Sequence, residues 1–166
     1  MVSNIRALTF DDEDEITGII KSCLEVDKNF VMTDLIFNDE NVSAFFRLEI
    51  LPILFDNDPI FGYFKDSKLL GFTCCSTKIN KMYKLNKKVA VGILTAVCPS
   101  FRRQGIGSKL RVSLAKACQS RGVEKFIFDV KQYNTASLQN AQKVADKLKS
   151  EASLISFKFE ATTNVF

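Results

Sequence analysis

At 166 residues, 46% of them hydrophobic and with mean hydropathy near zero, the chain has the size and composition of one globular domain with its own core. Its net charge of +4 is spread along the sequence, which suits a small anionic ligand and argues against nucleic acid as a partner. No histidine occurs. That excludes Ser-His-Asp and Cys-His catalysis in their usual forms and every His-containing zinc site, leaving acid–base work to Asp, Glu, Tyr, Lys, Cys or bound water.

Five cysteines, Cys23, Cys74, Cys75, Cys98 and Cys118, form an odd set without CxxC spacing. They read as small buried hydrophobes in a reducing compartment. No apolar run approaches the roughly 20 residues of a membrane span, and Met1 to Arg6 carries no signal-peptide core. A cytoplasmic protein without a membrane partner is therefore expected.

In chain order, Ile5 to Leu8 predicts a short strand, and Asp11 or Asp12 can cap a helix through Leu24. Ile16, Ile19, Ile20, Cys23 and Leu24 give that helix its apolar face. Asn29 to Asn41 is irregular. Val42 to Phe55 predicts a second helix, broken or kinked at Pro52, and Asp56-Asn57-Asp58-Pro59 a turn. Ile60 to Lys65 and Leu69 to Thr77 predict strands joined through Asp66-Ser67-Lys68. A basic loop, Lys81 to Lys88, precedes the apolar run Val89 to Val97. Gly92 inside this next strand marks a bulge or a close backbone approach.

Pro99 stops that strand. Ile106, Leu110, Leu114 and Cys118 then fall at four-residue steps on one face of a helix that Gly122 ends. Strand, Gly-containing turn and helix together aim backbone N–H groups and a helix dipole at an anion. Gly105 and Gly107 omit the Cβ atoms that would hold a phosphate away, and Arg102 and Arg103 offer forked charge. Phe126 to Val130 predicts a buried strand, Asn134 to about Leu148 a helix with Asn as its N-cap, and Leu154 to Val165 the last strand or strands. The order β-α-α-β-β-β-α-β-α-β is mixed α/β, a hairpin series followed by βαβ crossovers, with no repeat or linker.

Arg102-Arg103-Gln104-Gly105-Ile106-Gly107 fits the [Gln/Arg]-x-x-Gly-x-[Gly/Ala] cofactor motif of the GNAT N-acetyltransferase superfamily. The preceding Val97-Cys98-Pro99-Ser100-Phe101 resembles that family's passage from strand to helix. Val130-Lys131-Gln132-Tyr133-Asn134-Thr135-Ala136-Ser137 resembles its Val-x-x-x-Asn-x-x-[Ala/Ser] step, and the order of elements is similar along essentially the whole chain. The resemblance implies one domain over residues 1–166, an α/β fold whose mixed central sheet has splayed fourth and fifth strands and helices on both faces. It implies acetyl-CoA as co-substrate and no metal. Backbone groups near Ala96 and Val97 would meet the pantetheine, Arg102, Arg103, Gln104, Gly105, Ile106, Gly107 and Ser108 the pyrophosphate, and Asn134 and Ser137 the pantetheine arm. A weaker sub-family likeness, Asn134-Thr135-Ala136-Ser137-Leu138 with the tail Phe157 to Phe166, is to TDP-fucosamine and other amino-sugar acetyltransferases.

One departure matters. Many relatives carry a Tyr seven residues after the Asn, where it can protonate the leaving thiolate, and this chain has Ala141 there. Ser156-Phe157 also replaces the family's Gly-Phe closure. Glu49, Asp56, Tyr63 and Tyr133 are candidates for proton transfer, yet each is of a type more common on surfaces, in turns or in packing, so the catalytic residue stays unassigned. Cys98 without a histidine is a poor covalent nucleophile. Phe30, Phe37, Phe45, Phe46 and Phe55 fall in the region that caps the acceptor side in this family, although most should fill core.

The expected activity is acetyl transfer to a primary amine of a small molecule, with an amino-sugar nucleotide as one option. A peptide N-terminus or lysine as acceptor, and a non-catalytic CoA-binding module, are the alternatives, and a homodimer is left open.

Overall fold

The computed structural model describes residues 3–27, 39–78, 88–128 and 135–148. The chain divides into two compact units, Met1–Asp129 and Val130–Phe166. The first holds β1 (Ser3–Ala7), α1 (Glu13–Val26), α2 (Asp39–Phe45), α3 (Leu51–Phe55), β2 (Ile60–Lys65), β3 (Lys68–Ser76), β4 (Val89–Val97), α4 (Ile106–Ser120) and β5 (Lys125–Phe128). The second holds α5 (Thr135–Leu148). The basic loop 81–87 and the closing strands expected after Leu154 lie outside the described residues.

The five strands form one sheet in the order β1-β2-β3-β4-β5, antiparallel except for the parallel β4–β5 pair. The mixed sheet expected from the sequence is therefore present. The β2–β3 connection is one residue shorter than expected. Asp66 and Ser67 alone make the turn, at φ 49° and 66°, and Lys68 already belongs to β3. Two left-handed residues give the hairpin turn that matches the strands' right-handed twist.

Gly92 does mark a bulge. Cys75 pairs with Gly92 and Cys74 with Leu94, which leaves Ile93 as the extra residue on β4. Before it, Ala90 packs on the α4 side of the sheet; after it, Ala96 packs on the side of α1 to α3.

Of the break or kink expected at Pro52, the second helical stretch shows no break. Helix continues from Asp39 to Phe55, and the irregularity is a π-helical turn, Phe46–Ile50, one residue ahead of the proline. Proline has no N–H for the carbonyl four residues back, and its ring crowds that carbonyl. A wider turn, with Leu51 N–H bonded to Phe46 O, accommodates it without a break.

Helices cover both faces. Ile16, Ile20, Cys23, Phe46 and Ile50 pack with Phe64, Phe72 and Cys74 on one side. On the other, Ile106 and Leu110 of α4 meet Tyr63 and Leu70, and Leu114 and Cys118 meet Cys75 and Ala90. The apolar stripe expected on α4 is thus wholly buried. Its end is a glycine cap. Gly122, at φ 75°, bonds to Gln119 O while Val123 N–H reaches Cys118 O. Four cysteines are buried, Cys98 is half-buried and all are free thiols; burial pushes Cys74 up to about 12.

Asp12 stands at the N-cap position of α1, but its side chain turns away from the helix. Arg6 grips both carboxylate oxygens at 2.6 and 2.9 Å, and Thr9 N–H donates at 2.9 Å. The Arg6 hydrogen bonds hold the Asp12 carboxyl below its ordinary range, against the opposing cost of burial. A carboxyl depressed in the folded state stabilises above its unfolded pKa of about 4 and loses that contribution as pH falls through the folded value. Asp12→Asn should therefore lower stability by about 1–2 kcal/mol at pH 7. The gap to the parent should narrow toward pH 2, which urea titrations at the two pH values will measure.

Candidate cofactor site

Strand β4 leaves the sheet in a fixed way. Cys98 N–H donates to Leu70 O at 2.9 Å, the last rung to β3. Pro99–Phe101 then makes a single 3-10 turn, closed by Phe101 N–H to Cys98 O at 2.9 Å. Arg103 at φ 64° and Gly105 at φ 77° reverse the chain, and α4 begins at Ile106 with Gly105 as its N-cap. Lys109 N–H to Gly105 O, at 3.0 Å, is the bond that closes its first turn. Amides ahead of that bond point outward past Gly105 with the positive end of the helix dipole. Nothing lies within 4 Å of where a Gly105 Cβ would stand, so the approach is open. The turn has the form of an anion cradle.

The two arginines of the motif divide the work. Arg103 is exposed beside Gln104, available to solvent and ligand alike. Arg102 is half-buried and donates through Nε to Val97 O at 3.2 Å. The Cys23 thiol donates to the same carbonyl at 3.4 Å, tying α1 to the end of β4. Burial raises the Cys23 pKa despite the Arg102 guanidinium nearby, so that thiol stays protonated. Val97 O is therefore already an acceptor for two protein groups.

The register decides which β4 groups face outward. Cys98 bonds β3, and outward and inward directions alternate along a strand, so Ala96 and Leu94 also turn their peptide groups to β3. Thr95 and Val97 turn theirs to the opposite edge. There, β5 pairs with Val89 through Gly92, and among the described residues it offers no partner to Ile93–Val97. The peptide groups facing the open edge thus belong to Thr95 and Val97, and Ala96 is one residue out of phase. Gly71 lets β4 lie close to β3, since a Cβ there would meet Ala96 O at 2.7 Å.

Beneath the edge lies a buried polar cluster that the sequence reading did not single out. Arg111 of α4 is 7% exposed and donates through Nε to Thr95 Oγ1 at 3.2 Å. Thr95 Oγ1 lies 2.8 Å from Thr73 Oγ1, which donates to Leu94 O at 3.2 Å. Burial lowers the Arg111 pKa to about 10, which leaves it charged at neutral pH. The signal was available: Arg111 stands three residues before Leu114 and seven before Cys118, on the face of the helix where an apolar residue belongs.

Other candidates are dispersed. Tyr63 is buried against α4, under the Lys109 ammonium at 5.6 Å from its ring, and is a packing residue. Glu49 and Asp56 are exposed on the π-helical turn and just past α3. Phe45 and Phe46 belong to the core, and exposed Phe55 stacks on Phe10 at 5.2 Å between centroids. Phe30, Phe37, Tyr133 and Asn134 lie outside the described residues. Ser137 and Ala141 are half-buried positions on α5 in the second unit. Among the described residues no group of His, Cys, Asp or Glu could hold a metal ion, and no helix is long and apolar enough to cross a membrane.

Solved structures share this fold. An aminoglycoside acetyltransferase, meta-AAC0020, from an uncultured soil metagenomic sample is 21% identical, with a TM-score of 0.65 over 96% of this chain and 97% of that one. A ribosomal-protein-alanine N-acetyltransferase from Brucella melitensis is 17% identical, with a TM-score of 0.67 over 84% and 82% of the two chains. The PaiA N-acetyltransferase from Thermoplasma acidophilum, in complex with coenzyme A, is 19% identical with a TM-score of 0.63 over 86% and 88%. No curated protein sequence matches the chain. A sequence model of the acetyltransferase (GNAT) family matches residues 14–145, most of the chain and all of the cradle. The chain that carries this open β4 edge, the left-handed Gly105 and the helix behind it belongs to the GNAT acetyltransferases.

Proposed function

We propose that the protein is a single-domain N-acetyltransferase that passes the acetyl group of acetyl-CoA directly to a primary amine of a small molecule. The observation that carries this reading is the continuity of β4 with the cradle. One strand turns outward the Thr95 peptide groups and the Val97 N–H, and its own continuation turns outward the amides at the start of α4. A pantetheine arm is an amide chain that can add to a strand edge as another strand would. A pyrophosphate at its far end then reaches the start of α4.

Acetyl-CoA supplies the activated acyl carbon. Amine nitrogen forms the new C–N bond as the C–S bond breaks, and an outward N–H of β4 stabilises the negative charge passing through the carbonyl oxygen. The ammonium proton goes to solvent and the thiolate takes a proton from solvent, because Ala141 cannot serve as acid. Orientation on a rigid strand is then the main source of rate, worth on the order of 7–11 kcal/mol when complete. No covalent acyl-enzyme is required.

A small-molecule acceptor is favoured by the aminoglycoside acetyltransferase whose fold spans nearly all of this chain. A peptide acceptor has its counterpart in the ribosomal-protein enzyme, which covers less of it. Thiol release from acetyl-CoA across amino sugars, aminoglycosides, polyamines and peptides separates the two. Turnover should appear with a small amine, whereas turnover with peptides alone would reverse the choice. Cofactor binding without turnover on any amine would leave a CoA-binding module.

The cradle has its own test. Acetyl-CoA at a hundredfold over its Kd should stabilise the fold by roughly 2.7 kcal/mol, read as a raised Tm. Gly105→Glu puts a carboxylate where phosphate must lie and forces a non-glycine residue into the left-handed region. The variant should fold, with stability reduced by about 1–2 kcal/mol, and show no ligand-induced shift. An undiminished shift in the folded variant would remove the cradle from the site.

A further inference from the structure

The Arg111–Thr95–Thr73–Leu94 cluster has a single direction. Thr73 has one hydroxyl proton, and it goes to Leu94 O, so the proton between the two threonines must come from Thr95. Thr95 Oγ1 in turn accepts from Arg111 Nε. The Arg111 Nε–H and the two hydroxyls therefore point the same way, from a buried cation to one backbone carbonyl. Hydrogen bonds in such a chain polarise one another, by about 10–30% per bond.

The chain ends on a particular peptide. Leu94 C=O and Thr95 N–H belong to the same amide group, and drawing electron density to the carbonyl oxygen makes the N–H a stronger donor. That N–H faces the open edge of β4. Thr95 is thus held twice over, its side chain by the relay on the α4 side and its amide aimed at the edge. We propose that Arg111, Thr95 and Thr73 form a positioning relay that orients and polarises the Leu94–Thr95 peptide, so that Thr95 N–H is the donor to the thioester oxygen as it gains charge. This rests on the acetyl-transfer reading, and it concerns the charge on the carbonyl oxygen, not the proton of the leaving thiolate. Arg111 acts through the threonines and touches no reacting atom in this scheme.

The test compares Thr73→Val, which keeps shape and removes the hydroxyl, with Thr73→Ser, which keeps the hydroxyl. Removing an oxyanion donor outright typically costs about 10²–10³ in kcat; weakening one should cost less, about three- to tenfold. Thr73→Val should show that loss in kcat with the KM for acetyl-CoA and the CoA-induced rise in Tm unchanged, and Thr73→Ser should restore the parent rate. A second readout needs no turnover. In proton–nitrogen correlation spectra the Thr95 amide proton should move upfield in Thr73→Val and stay near its parent position in Thr73→Ser.

If Thr73→Val fails to fold, Arg111→Lys, which keeps the charge and loses the Nε–H, carries the same comparison. A kcat within twofold of the parent together with an unmoved Thr95 amide overturns the relay. So does a kcat loss matched by loss of CoA-induced stabilisation or not rescued by serine, since either marks a structural role alone. A parent protein that turns over no amine overturns the acetyl-transfer reading instead, a different result from a parent that turns over and a Thr73→Val variant that equals it.

Discussion

The hydrogen bond from Cys98 N–H to Leu70 O is the last rung between β3 and β4. One residue later the chain reaches Pro99, which has no N–H to continue the ladder. The backbone must leave the sheet there, and the polar groups it frees need partners nearby. Val97 O takes the Cys23 thiol and Arg102 Nε, and the 3-10 turn closes on Cys98 O and Pro99 O. This settles where α4 starts. Because Ile106 begins the helix, Ile106, Leu110, Leu114 and Cys118 fall on the sheet, and the N-terminal amides fall outside it. The cradle and the second core layer share one origin.

Two kinds of support surround that turn. On one side α1 reaches it through Cys23, whose burial keeps its thiol a donor. On the other, Gly71 lets β3 come within a distance that any side chain would forbid. Both contacts fix the height of Thr95 and Val97 at the edge. Geometry of this kind matters because good orientation is lost with displacements near an ångström.

Much of this was legible from residue order. The limits of β2 and β4, the stripe on α4, the glycine stop at Gly122 and the bulge at Gly92 all follow from periodicity and from where glycine and proline stand. Local signals fail where two neighbours compete for the same group. Asp12 looks like a helix cap, but a guanidinium six residues earlier outbids the helix amides for its oxygens. Pro52 looks like a break, but packing of Phe46, Ile50 and Ile53 holds the helix together and the π-helical turn absorbs the misfit. Arg111 escaped notice because its partners, Thr73 and Thr95, are distant in sequence and meet only through strand register. Sequence gives the alternation of peptide groups along β4, while its phase, Ala96 toward β3 and Thr95 toward the other edge, comes from the neighbouring strand.

The extra residue at Ile93 acts on that phase. Ala90 faces α4 and Ala96 faces the opposite core, although both are even-numbered positions of one strand. A strand with unbroken alternation would send them to the same side. The bulge is a half-period slip, and it divides β4 into a first part whose even residues face α4 and a second part whose odd residues do. Thr95 belongs to the second part, so its hydroxyl meets Arg111 only because one residue has been inserted upstream. Deleting Ile93 would leave the composition of the strand almost untouched, yet it would turn that hydroxyl into the apolar layer of Phe72 and Cys23 and present alanine to the guanidinium. In this fold a single uncounted residue works as a sign: it changes no side chain, and it decides which face of the sheet each of the four strand residues after it belongs to.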